Sequence, residues 1–190
     1  MNKEQYIDTY LDETVKIIEK IDRTQISNFI SEVQDLKSKS GRLFIIGVGG
    51  SAANASHAVN DFRKIVGIES YAPTDNVSEL TARINDDSWE NSIVEWLRVS
   101  KLKRGDALLV LSVGGGSETT SQNLVRAMKY AKALDVKILS IVSRTGGEAK
   151  RLSSCCVHVP VINQSRVTPH AEGWQAVIWH LVVSAFMEDK

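Results

Sequence analysis

Four short, unbroken apolar runs constrain this chain more than any other feature: RLFIIGV (42–48), DALLVLSV (106–113), VKILSIVS (136–143) and CCVHVPV (155–161). A strand wetted on one face alternates apolar and polar residues, whereas a continuous run suits a strand buried on both faces. IESYAP (68–73) is a weaker fifth run. Between the runs lie stretches with helical spacing: 52–66, 77–100 with a break near NDDS, 118–134 and a short one at 146–152. Strand alternating with helix makes a parallel sheet covered on both sides. The expected fold is α/β, a three-layer sandwich around a five-stranded parallel sheet.

Residues 3–39 read as helix ahead of the first strand. Ile7, Tyr10, Leu11, Val15, Ile18 and Ile21 recur at three- and four-residue steps, and Ile26, Phe29, Ile30, Val33 and Leu36 repeat the pattern after a break at Asp22 to Thr24. SKSG (38–41) stops the second helix. The tail, 171–187, reads as an apolar closing helix. With 190 residues and no repeat or long linker, the expectation is one domain over 1–190, with 1–39 a helical arm.

Lysine plus arginine number 23, as do aspartate plus glutamate, so no overall field favours nucleic acid. RVSKLKRGD (98–106) and EAKRLSS read as solvated helix ends. No apolar run approaches the ~20 residues that cross a bilayer, and the polar opening MNKEQYIDTYLDE carries no secretory signal. Cys155 and Cys156 are sequence neighbours and read as free thiols in a strand, which fits a reducing cytoplasm.

In open parallel sheets ligands bind beyond the carboxyl ends of the strands. That rule selects GVGGSA after the first strand, NVSEL after the second, SVGGGSETTS after the third and SRTGGE after the fourth. Glycine lets backbone N–H groups approach a ligand, and a helix N-terminus adds partial positive charge. Ser51, Ser112, Ser117, Thr119, Thr120 and Ser121 add hydroxyls, so a phosphate could be held without lysine. The lysine of a P-loop is absent. GVGGSA has Ala52 where a dinucleotide fingerprint needs its third glycine, and no acidic residue stands clearly at the end of the second strand.

His57 and Asp61 are four apart, on one helical face. Such a pair suits a metal half-site or an acid–base pair. The tail TPHAEGWQAVIWHLVV adds His170, Glu172 and His180. Glu172 and His180 are eight apart, with a rise of about 12 Å on a straight helix. Either Glu172 lies at the first turn and reaches forward, or the two act in one site from different subunits.

Together these segments resemble a sugar isomerase (SIS) domain, and within it the phosphoheptose isomerases. The resemblance rests on GVGGSA with His57 behind it, NVSELTARINDD, SVGGGS, and the tail from Thr168 to His180. It implies a flavodoxin-like SIS fold, a homotetramer using the helical arm for contacts, active sites between subunits, and a cytoplasmic enzyme isomerising sedoheptulose 7-phosphate. Carried over by position, Gly50, Ser51, Ser112, Gly114 and Ser117 become substrate contacts, and Asp86 of INDD meets the sugar end. His57, Asp61, Glu172 and His180 fall where the family places a zinc site, Zn²⁺ or another divalent metal. Asp61, Glu172 and His180 also fall on its acid–base groups, with either carboxylate as base and His180 as relay.

Four departures stand out. Val48 replaces the usual asparagine of the first loop. Asp61 replaces a glutamate, Glu172 a glutamine, and SVGGGS a loop richer in hydroxyls. They leave open an isomerase of another phosphosugar, such as an arabinose or hexulose phosphate. The first rival reading is a non-catalytic SIS sugar-phosphate sensor or scaffold, and a lyase or epimerase with the same enediol chemistry is a third, weaker one.

Overall fold

The structure is a computed structural model and describes residues 2–187. Met1 and residues 188–190, the ends of the expected 1–190 domain, lie outside the described residues. Helices α1 (Lys3–Lys20) and α2 (Arg23–Ser38) lead into β1 (Leu43–Ile46), α3 (Gly50–Asp61) and β2 (Ser70–Tyr71). Then come α4 (Val77–Asp87), α5 (Ser92–Val99), β3 (Ala107–Ser112), α6 (Gln122–Ala133), β4 (Lys137–Val142), α7 (Gly147–Leu152), β5 (Cys155–His158) and α8 (Val167–Ala185).

The strands form one parallel sheet in the order β2-β1-β3-β4-β5, as the apolar runs required. Alternate residues of each run serve opposite layers. Leu43, Ile45, Leu109, Leu111, Leu139 and Ile141 pack with α1, α2, α3 and α8. Phe44, Ile46, Leu108, Val110, Ile138 and Val142 pack with α5, α6 and α7. This strand order reverses direction between β1 and β3, so the binding crevice of such a sheet opens beyond their carboxyl ends.

Several boundaries move for local reasons. The expected helix 52–66 is α-helical only to Asp61, and Phe62–Val66 winds as a π-helical turn that ends at Gly67, φ +79°. The expected helix 118–134 starts four residues late. Ser117–Thr120 closes a turn instead, with Thr119 and Thr120 N–H groups donating to Ser117 Oγ at 3.3 and 3.1 Å. Cys155 and Cys156 are free, and burial pushes the Cys155 thiol up to about 11.

The stripe on α1 is helical but does not face the core. Ile7 is 54% exposed, Leu11 58%, Val15 51% and Ile18 45%. The residues α1 buries are Glu13 and Ile17. Glu13 anchors the arm to the approach to α8: its carboxylate accepts from Arg166 Nη2 at 2.6 Å, Arg166 Nε at 2.9 Å and Asn163 Nδ2 at 2.8 Å. His170 Nε2 lies 2.9 Å from the same carboxylate, and its ring stacks on Tyr10. The Arg166 guanidinium holds the Glu13 carboxyl far below the usual carboxylate range.

Candidate functional site

The first loop, Gly47–Gly49, turns β1 into α3. A Cβ on Gly47 would run into the Ser51 carbonyl, and Gly49 sits at φ +65°, so the turn needs glycine at both positions. Ser51 is buried in the first turn of α3. Gly50 lies beneath the Glu172 carboxylate, whose Oε2 would be 2.5 Å from a Cβ built there. A carboxylate thus lies at the positive end of α3, where the helix dipole favours it. Asn54 tethers α3 to α8 nearby, donating to the Glu172 carbonyl at 2.9 Å and to Gln175 Oε1 at 3.0 Å.

The second loop follows β3. Ser112 Oγ accepts the Gly115 N–H at 3.0 Å, and both Ser112 and Ser117 keep a hydroxyl proton to donate. The glycines answer to a neighbour. A Cβ on Gly115 would strike the Gly146 carbonyl, and one on Gly147 the carbonyls of Gly116 and Gly114. Glu148 and Ala149 N–H groups, in the first turn of α7, donate to Gly116 and Gly115 carbonyls at 3.0 and 2.9 Å. The fourth strand-end segment, SRTGGE, together with Ala149 in the first turn of α7, therefore braces the second loop with these two N–H groups. Arg144 passes near Gly114, its Cδ 3.9 Å from a Cβ built there. Its strained φ of +49° is held by a hydrogen bond of 2.8 Å from His158 Nε2 to its carbonyl.

A second assembly lies farther along α3. His57, Asp61 and His180 offer ligand atoms within 4.8 Å of one another. Asp61 Oδ2 is 3.8 Å from His57 Nε2 and 3.6 Å from His180 Nε2. Asn60 Nδ2 donates to the other oxygen, Oδ1, at 2.8 Å, which leaves Oδ2 facing the rings. His180 Nδ1 lies 2.8 Å from the Ala176 carbonyl. A carbonyl only accepts, so Nδ1 carries the proton and Nε2 presents its lone pair toward Asp61. Trp179, fully buried, stacks on His180 and meets His57 edge-on. Both imidazoles are exposed, so the group is open on one side.

Glu172, expected in this group, and Asp86, expected at the sugar end, stand elsewhere. Glu172 is not in this three-residue group. Both it and His180 lie on α8, about 12 Å apart along the axis, and the forward reach within one chain does not occur. Asp86 is exposed on α4 and pairs with Asn85. The sequence reading missed Glu13 and Arg144. Glu13 lies four residues before buried Ile17 on the one core-facing strip of α1, and that spacing was its signal.

A family model described as SIS domain matches residues 5–143. The chain belongs to the SIS domain family. Its phosphoheptose isomerase-like character shows in the relatives of this SIS-domain chain. A phosphoheptose isomerase 2 of Campylobacter jejuni is 27% identical over 99% of this chain and 94% of that protein. A phosphoheptose isomerase of Helicobacter pylori is 30% identical over 75% of this chain and 72% of that protein. Phosphoheptose isomerase GmhA from Neisseria gonorrhoeae superposes with a TM-score of 0.84 at 21% identity, covering 98% of this chain and all of that one.

Proposed function

We infer that this SIS-domain chain is an enzyme, a sugar-phosphate isomerase that interconverts aldose and ketose forms. The relatives' names point to a phosphoheptose, and the family resemblance makes sedoheptulose 7-phosphate the first substrate to try. One observation carries the reading: a carboxylate oxygen, Asp61 Oδ2, held between two imidazole Nε2 atoms.

Isomerisation moves a proton between C1 and C2 through an enediol, which needs a base beside the carbon acid. Asp61 is that base, since Oδ1 is tied to Asn60 and Oδ2 is directed at the rings. His180 relays the proton between the two substrate oxygens through Nε2, with Nδ1–H fixed on Ala176. Ser112, Gly114 and Ser117 bind the phosphate end, with Arg144 nearby to offset its charge, and Gly50 and Ser51, beside the Glu172 carboxylate, contact the sugar. Anchoring that remote end orients the reacting carbons.

The His57, Asp61 and His180 donor set fits a divalent metal, Zn²⁺ first, because two imidazoles and a carboxylate leave a fourth position open. When bound, that ion would take those same Nε2 and Oδ2 lone pairs, polarise the substrate's carbonyl and hydroxyl oxygens, and leave the base's role to the other carboxylate, Glu172.

A second copy of the chain completes the assembly. The exposed α1 stripe, with Val177 and Leu181 flanking His180 on α8, is apolar surface that a homotetramer would cover. Glu172 then joins the acid–base and metal groups from a neighbouring subunit, and Asp86 meets the sugar end. Among the described residues no helix is long and apolar enough to cross a membrane; free thiols suit the cytoplasm.

The test is NMR of sedoheptulose 7-phosphate with the pure protein in D₂O, with and without chelator. Deuterium entry at C1 or C2 together with aldose formation is expected. Bound substrate with neither change would leave a binding role only.

A further inference from the structure

The turn after β4 places an arginine where glycine is the ordinary residue. Gly146 N–H donates to the Ser143 carbonyl at 2.8 Å, which makes Arg144 the first corner of a tight turn, at φ +49°. A side chain in that left-handed region carries a strain that glycine avoids. The turn is pinned on both sides. Ser143 N–H donates to the Val113 carbonyl of the second loop at 3.0 Å, and Ser143 Oγ donates to the Val159 carbonyl at 2.8 Å. His158, the last residue of β5, adds its Nε2 at 2.8 Å from the Arg144 carbonyl. A carbonyl only accepts, so that nitrogen carries a proton and donates it.

The arginine held this way lies against the second loop. Its Cδ is 3.9 Å from a Cβ built on Gly114, and the guanidinium begins one bond beyond Cδ. Glu148, the nearest acid in sequence, is taken by Arg151, whose Nε and Nη2 donate to it at 3.0 and 2.5 Å. Among the described residues no carboxylate forms an ion pair with Arg144. The loop's own donors are neutral and partly spent. Gly115, Thr119 and Thr120 N–H groups are bonded to Ser112 and Ser117 hydroxyls, and the Glu148 and Ala149 N–H groups to loop carbonyls. The positive end of α3 already faces the Glu172 carboxylate. A phosphate monoester brings close to two negative charges at neutral pH, and Arg144 is placed to meet them.

We propose that His158 is a positioning residue for phosphate binding: it holds the strained turn that keeps Arg144 at Gly114, and Arg144 supplies the charge by which the second loop selects a phosphate monoester over an unphosphorylated sugar. A guanidinium offers paired N–H groups that fit two phosphate oxygens, and so replaces hydroxyls that SVGGGS lacks. His158 touches no ligand and acts through the Arg144 backbone. The sugar beyond the phosphate rests on the isomerase reading above; the Arg144 clamp is tested without it.

The test is a titration of the ¹⁵N-labelled full chain with inorganic phosphate, read at the Gly114 and Gly116 amides. Arg144→Gly suits the left-handed backbone, so it should melt no earlier than the parent, yet bind phosphate at least ~10-fold more weakly. His158→Phe keeps a ring and loses the donor, and should weaken binding about threefold; His158→Gln, which keeps an N–H, should restore most of it. Adding His158→Phe to Arg144→Gly should change binding by less than about twofold, because the two act as one unit. No saturable response in the parent, equal binding by Arg144→Gly, or a His158→Phe loss that persists in Arg144→Gly would overturn the proposal. Sedoheptulose 7-phosphate turnover, assayed separately, decides the isomerase reading: a chain that binds phosphate through Arg144 and isomerises nothing keeps the clamp and loses that reading.

Discussion

Asp61 and His180 meet across two helices, with Asp61 Oδ2 3.6 Å from His180 Nε2. The ring is already in the tautomer that offers a lone pair, because the Ala176 carbonyl holds Nδ1–H. Replacing Asp61 by Asn keeps the volume and removes the proposed base. Asp61→Asn should lower isomerase kcat at least ~100-fold, and deuterium incorporation should fall with it. Substrate affinity, read by calorimetry, should change less than kcat. An unaltered kcat would remove Asp61 from the chemistry.

The same three side chains predict metal content. The purified protein should carry up to one divalent ion per chain, and His57→Ala or His180→Ala should weaken retention against a chromophoric chelator by at least ~10-fold. Glu172→Gln separates the two placements of that carboxylate. Retention falls if a neighbouring subunit supplies Glu172 and holds if the residue stays over Gly50.

Glu13 predicts an acid-sensitive arm. Its folded carboxyl titrates far below the ordinary value of 4.5 because Arg166, His170 and Asn163 bond to it. A depressed carboxylate contributes stability that is complete above the unfolded value and lost as pH falls. Unfolding free energy should therefore decline below about pH 4.5, measured by urea titration, and Glu13→Gln should flatten that slope. Glu13→Ala strands Arg166 and His170 and should cost about 3 kcal/mol at neutral pH.

The glycine loops predict a steric effect away from the charges. Gly115→Ala puts a Cβ into the Gly146 carbonyl at φ +75°. A loss of about 2 kcal/mol is expected, a melting shift of about 5 °C by calorimetry. Gly49→Ala meets only the backbone strain, since no atom lies within 4 Å of a Cβ there, and should lose less.

The exposed α1 stripe predicts association. Light scattering should find a tetramer, and Leu11→Glu, at a position 58% exposed in the single chain, should shift the population toward smaller species. A monomeric parent protein would remove the stripe's proposed role.

Local pattern was enough for the layers. Continuous apolar runs can be satisfied only with cover on both faces, so β1, β3 and β4 were legible in the sequence, as was the position of the glycine loops at their ends. The His57–Asp61 pair was legible too, because four residues on a helix is a fixed short distance. Contacts between elements were not. Which helix would bring His180 to Asp61, why Glu172 settles over Gly50, and that Glu13 would be the arm's anchor all depend on how α1, α3 and α8 pack. Periodicity marks α1 as a helix with an apolar stripe, yet packing turns Glu13 and Ile17 inward and leaves Ile7 and Leu11 outside. Sequence spacing carries distances within an element; distances between elements come from burying their faces together.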